Sequence, residues 1–150
     1  MVNNQLSEVK KFLIFRLGNE EYGIDIHKIT TIIEKEMNIA RVPKTPLFLK
    51  GVINLRGEII PVMSLRLKFG LADDVFNEET RIIIIKLEDI SVGMVVDSVA
   101  EVLELDEDAM ESITNIAGEL SLDYIAGVGK ANGRIITLLN LENLVSLNES

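Results

Sequence analysis

The chain has 150 residues, 47% of them hydrophobic, with 15 Lys+Arg against 24 Asp+Glu for a formal net charge of -9, and it holds one His and no Cys. This length supports roughly one domain with a real core, while the lack of Cys excludes thiolate zinc sites, thiol catalysis and disulfides, and a lone His27 excludes a multi-histidine metal site. The acidic balance argues against nucleic acid and anionic membrane surfaces, which recruit clustered Lys and Arg.

Met1 to Glu8 has neither the basic start nor the apolar stretch of a signal peptide. The longest aliphatic run, Ile82 to Ile85, is far short of the ~20 residues that span a bilayer, so a cytoplasmic location is expected. Abundant Ile and Val with only 5% aromatics predict a strand-rich core. Phe12 to Leu17, a turn cluster at Gly18 to Glu21, and Tyr22 to Ile26 form a predicted hairpin with Tyr22, Ile24 and Ile26 on one face. Val52 to Leu55 and Glu58 to Val62 flank Arg56-Gly57, whose glycine can supply the positive φ of a tight turn. Ser64 is a predicted cap for a turn through Leu65 to Phe69 ending at Gly70.

The same grammar recurs about seventy positions later. Arg81 to Leu87 and Ser91 to Val96 flank a turn at Glu88-Asp89, and Gly93 matches Gly23. Gly51 to Leu65 aligns with Gly127 to Leu141, sharing Gly51/Gly127, Gly57/Gly133, Ile59/Ile135 and Leu65/Leu141. Asp106 to Met110 is a candidate helical turn, and Asn140 is a candidate cap for Leu141 to Leu147. An internal duplication of about seventy residues predicts two small barrels or sandwiches, each marginal alone and leaning on the other.

Few residues carry chemistry. Asp25 and His27 alternate on a predicted strand and form a conceivable acid-base dyad, but no nucleophile or oxyanion site is announced near by, and a solvated pair at a strand edge is the plainer reading. Gly127-Val128-Gly129-Lys130 fails as a phosphate loop, because Tyr124 and Ala131 stand where glycine and a hydroxyl residue are needed; Asn132-Gly133 is a hairpin turn. Asp73-Asp74 and Asp106 to Asp108 do not have calcium-loop spacing and are expected to be solvated caps or turns. Ile26, Ile29, Ile32 and Ile33 pass from alternation to threefold spacing, a stripe fitting either core or partner contact. Arg56 should project from its turn into solvent, where arginine is a frequent interface anchor.

Lys50 to Val62 (KGVINLRGEIIPV), with Glu21 to Ile26 before it and Val92 to Val99 after it, resembles the CheW family of bacterial chemotaxis coupling proteins. The likeness runs from about Lys10 to Leu147, as a single domain with repeat lobes of roughly residues 10–78 and 79–147; whether strands cross between the lobes is open. The same module occurs in the kinase CheA and in CheV, but the short flanks favour a free-standing coupling protein. The resemblance implies an all-β fold of two five-stranded SH3-like barrels around a shared apolar interface. It also implies a non-enzymatic adaptor without cofactor, holding the cytoplasmic tip of methyl-accepting chemoreceptors beside the histidine kinase CheA in membrane receptor arrays. Carried over by position, Ile29, Ile32, Arg56, Val99 and Val102 would bind the receptor, and the hairpin at Gly57, Glu58 and Ile59 would bind the kinase. Thr31 stands where some relatives have glutamate, with Glu34 and Glu36 near by, so that contact does not transfer. The alternatives are an acidic β-barrel module for another partner, a nucleic-acid binder, or an enzyme using Asp25 and His27.

Overall fold

The computed structural model describes residues 9–34, 38–111 and 122–146. In chain order the strands are β1 (Lys10–Leu17), β2 (Glu20–Asp25), β3 (Ile29–Ile33), β4 (Leu49–Leu55), β5 (Glu58–Ser64), β6 (Arg81–Leu87), β7 (Ile90–Val96), β8 (Ser98–Leu105), β9 (Met110–Glu111), β10 (Ile125–Ala131) and β11 (Arg134–Leu139); α1 (Leu65–Lys68) follows β5 and α2 (Leu141–Leu144) follows β11. They make two sheets, ordered β8-β1-β2-β11-β10-β9 and β3-β6-β7-β5-β4. One sheet thus has six strands where five were expected, because the two-residue β9 pairs with β10 at Val128 and Gly129.

The sheets do not follow the repeat. Hairpin β1–β2 of the first half accepts β8 on one side and, through a parallel pairing of β2 with β11, the second half's last hairpin on the other. Hairpin β6–β7 of the second half accepts β3 and, through a parallel β5–β7 pairing, the first half's β4–β5. Each sheet therefore contains strands from both halves, and residue 79 bounds a sequence repeat without bounding a packing unit.

Burial explains why the Ile82 to Ile85 run does not alternate with polar residues. Ile82 and Ile84 fill the interior of the five-stranded unit with Ile53, Ile60, Val62 and Val95, while Ile83 and Ile85 point to the other face of the same sheet. A strand buried on both faces needs apolar side chains at every position. β1 repeats the arrangement: Phe12 and Ile14 enter the six-stranded interior with Leu105, Ile136 and Leu138. Leu13, Phe15 and Leu17 face the opposing sheet.

The two sheets meet in the largest cluster. Leu13, Phe15, Leu17, Tyr22, Ile24, Leu139, Leu141 and Leu144 pack on Met63, Leu65, Phe69, Ile83, Ile85, Leu87, Val92, Met94 and Val96. These seventeen residues outnumber the six and five of the separate interiors. The aromatic line Phe15–Tyr22–Phe69–Tyr124, with centroids 5.5, 5.6 and 6.0 Å apart, crosses this interface.

The capping predictions meet their partners. The Ser64 hydroxyl accepts from the Leu67 amide and Asn140 Oδ1 accepts from the Asn143 amide, each at 3.1 Å. Both helices last one turn, so α2 ends at Leu144, and Leu147 lies outside the described residues. Asp106 accepts from the Ala109 amide at 3.1 Å and starts a single 3-10 turn. Gly51 has a positive φ of 147°, and a Cβ there would lie 2.1 Å from the Ala40 carbonyl oxygen. That glycine lets the preceding loop pair with β4, where Ala40 and Val52 exchange two 2.9 Å backbone bonds.

Candidate functional site

The strand expected to reach Ile26 stops at Asp25. Asp25 Oδ1 accepts the His27 amide at 2.9 Å, capping a 3-10 turn over Ile26–Lys28. His27 therefore sits in a turn, contrary to the strand-face expectation. Its ring nitrogen Nδ1 is 3.2 Å from Asp25 Oδ1, and its side chain is 83% exposed. The carboxylate is occupied by capping, which is a structural use of the pair.

After this turn β3 carries the threefold spacing, and its cause is a β-bulge. Ile29 pairs with Ile85 and Thr31 with Ile84, so Thr30 is an extra residue; such an insertion resets which face the following side chains occupy. Ile29 and Ile32 consequently both pack on the inter-sheet cluster. Ile33 packs with the barrel interior. The stripe divides between two faces instead of forming one. Glu34 is exposed beyond the strand, and Glu36 lies outside the described residues.

β8 does the same on the other sheet. Phe15 pairs with Val99 and Ile14 with Glu101, leaving Ala100 as the bulge. Val99 packs on the inter-sheet cluster, and Val102 is 46% exposed. β3 and β8 each end their sheet. Ile29 and Ile32 of one bulged edge strand and Val99 of the other thus all pack on the apolar cluster where the sheets meet, the seam.

Arg56 belongs to a different feature. Arg56 and Gly57 both have positive φ, 55° and 86°, between the paired ends Leu55 and Glu58, the geometry of a two-residue hairpin turn. Asn54 Oδ1 accepts the Gly57 amide at 3.0 Å and braces it. Among the described residues Arg56 makes no ion pair. Glu58 and Ile59 are exposed beside it, Ile59 at 60%. The repeat-related hairpin carries Asn132 and Gly133 with φ of 51° and 78°. Its following Arg134 is committed: Nε and Nη2 donate to Glu21 at 3.0 and 3.1 Å, and Nη2 lies 2.7 Å from Glu101. The Arg134 bonds hold the Glu21 carboxyl below its usual range.

Two polar features were not apparent in the sequence. Arg66 of α1 donates through Nε and Nη2 to the two Asp97 oxygens at 2.8 and 2.7 Å, while Asp97 Oδ2 also accepts the Gly18 amide at 2.8 Å. The Arg66 bonds keep the Asp97 carboxyl below its usual range. Asp74, expected to be solvated, has a side chain only 2% exposed. Lys50 Nζ is 3.7 Å from Asp74 but bonds Asp73 at 2.7 Å. Burial raises the Asp74 carboxyl, whose two oxygens have no hydrogen-bond partner among the described residues, and the Lys50 charge only partly offsets it. Spacing on a chain of this composition cannot announce such pairings; strand exchange creates the Arg66–Asp97 fork, while Asp74 meets Lys50 within the first half.

No helix among the described residues is long and apolar enough to cross a membrane, and no metal-holding cluster of His and carboxylates occurs among them. The fold is a two-sheet β module with an apolar seam between the sheets and a separate exposed hairpin tip. The model of the CheW-like domain matches residues 11–149. The chain is 40% identical over 140 residues to the chemotaxis protein CheW of Klebsiella aerogenes, covering 93% of this chain and 84% of that one. It is 36% identical to the CheW of Helicobacter pylori, over 92% and 82% of the two chains. The crystal structure of the scaffolding protein TtCheW from Thermoanaerobacter tengcongensis superposes with a TM-score of 0.86 at 33% identity, covering 94% of this chain and 95% of that one. The chain belongs to the CheW family, and its role is that of a chemotaxis scaffold.

Proposed function

We propose that the protein couples chemoreceptors to the histidine kinase CheA at cytoplasmic receptor arrays, without catalysing a reaction itself. The observation that carries this reading is the separation of two contact features on one chain. Ile29, Ile32, Val99 and Val102 sit on the two edge strands, and such an apolar strip suits one face of a receptor helix. Gly57, Glu58 and Ile59 sit on the β4–β5 hairpin, where an exposed isoleucine beside an uncommitted arginine suits a kinase contact. Arg56, carried over as a receptor contact, borders the kinase residues and can serve whichever partner reaches the tip.

Co-sedimentation of the full chain with receptor-containing membranes and with purified CheA tests the reading. Val102→Glu is expected to lower receptor recruitment about tenfold or more and to spare kinase binding. Ile59→Glu is expected to do the reverse. A wild-type chain that fails to bring kinase to the membranes overturns the coupling role, and variants that leave both affinities unchanged overturn the two surfaces.

A further inference from the structure

The internal repeat allows the two walls of the seam to be compared position by position. Arg66 and Glu142 are equivalent, each the second residue of its one-turn helix behind Ser64 and Asn140. Each reaches the segment that begins an edge strand. Arg66 grips Asp97, immediately before β8; Glu142 meets Lys28, immediately before β3.

The charges are reversed and the strengths are unequal. The Arg66–Asp97 fork has two bonds at 2.8 and 2.7 Å, side chains 20% and 28% exposed, and a third bond from the Gly18 amide. The Asp97 amide also donates to the Arg16 carbonyl at 3.1 Å. Lys28–Glu142 is a single 3.3 Å contact with side chains 38% and 62% exposed. A forked, partly buried Arg–carboxylate pair restrains geometry far more than a lone exposed Lys–Glu pair. The ladders differ in the same direction: β8 pairs with β1 from Lys10 to Arg16, whereas β3 pairs with β6 only from Ile29 to Ile33. Glu101 of β8 is further tied to Arg134.

We propose that the seam has one fixed wall and one compliant wall, with β8 clamped in place through Asp97 and β3 the strand that opens. The inference rests on the reading of the seam as a helix site for its functional meaning, since a helix seating there would displace β3. That strand lies in the same sheet as the Arg56 hairpin, joined to it through β6, β7 and β5. Compliance on that side gives receptor contact a route to the kinase contact through the sheet the two features share.

Amide hydrogen exchange on the free full-length chain tests this without any partner, so it succeeds or fails independently of receptor binding. Local opening is what such exchange reads. The hydrogen-bonded amides of β3 are expected to exchange at least about tenfold faster than those of β8. Asp97→Asn is expected to accelerate β8 and the Gly18 amide by about tenfold and to leave β3 within about twofold. Glu142→Gln is expected to change neither strand by more than about twofold. Equal protection of the two strands in the wild type overturns the proposal. So does an Asp97→Asn chain whose β8 stays as protected as before; should that variant fail to fold, the wild-type comparison still decides.

Discussion

Arg56→Asn separates the cost of the hairpin tip from its use. Arg56 holds φ at 55°, in the left-handed region that side chains other than Asn, Asp and Gly rarely adopt, at about 1 kcal/mol or more for a bulky residue. The repeat supplies the relaxed solution: Asn132 occupies the equivalent turn position with φ 51°. The Asn54 brace to the Gly57 amide and the Leu55–Glu58 pairing involve other residues, so both survive the substitution. Stability should therefore rise by about 0.5–1 kcal/mol, which for a chain of this size moves Tm up by about 2–4 °C per kcal/mol. Partner affinity should move the opposite way, by about 2 kcal/mol, or roughly thirtyfold in Kd, if Arg56 anchors an interface. Thermal unfolding measures the first change and titration against receptor fragment and kinase the second. The reciprocal Asn132→Arg should cost about 0.5–1 kcal/mol without weakening either partner. An Arg56→Asn chain that is less stable, or that binds both partners as the wild type does, refutes the reasoning.

The acid response should have two components of opposite sign. Asp97 and Glu21 are held below their usual ranges by arginine bonds, so their contribution is complete above pH 4–5 and is lost as pH falls through their lowered folded-state values. Buried Asp74 is raised, so its contribution is complete below the ordinary carboxylate range and disappears as pH rises through the raised value; Asp74→Asn should stabilise the chain by about 1 kcal/mol at pH 7 and lose that advantage in acid, as followed by urea midpoints. Gly51→Ala should cost more than about 3 kcal/mol, because its Cβ meets the Ala40 carbonyl at 2.1 Å and φ is 147°; a midpoint within about 0.5 kcal/mol of wild type contradicts the assigned loop pairing. A chain of residues 10–78 alone should show no cooperative unfolding by circular dichroism, since its two hairpins belong to different sheets.

Much of the fold was legible because the signals were local. The turns at Arg56-Gly57 and Asn132-Gly133 follow from glycine's tolerance of positive φ, and the caps at Ser64 and Asn140 follow from a short polar side chain before an apolar run. The duplication was visible as matched glycines. The seam was harder. Ile29 and Ile32 were conspicuous, but the bulge at Thr30 that puts them on one face depends on pairing with β6, some fifty residues away. Asp25-His27 looked like alternation until capping ended the strand at Asp25. Asp74 and the Arg66–Asp97 fork were invisible, because charge patterning describes neighbours in sequence; exchange of hairpins brings Arg66 to Asp97, and folding within the first half brings Lys50 to Asp74.

That exchange has a mechanical consequence for a scaffold. The seam strands β3 and β8 lie in different sheets that meet across the inter-sheet cluster. Here β3 is hydrogen-bonded to the second half and β8 to the first, so separating the walls of the seam requires breaking a β ladder or shearing the seventeen-residue cluster beneath it. Close-packed interiors resist the second. Short edge ladders give way first, and the five-residue β3 is the shorter of the two. A chain with these connections is stiff as a whole and, on the proposal above, soft at one named strand, the combination that would let two proteins held on different faces sense one another.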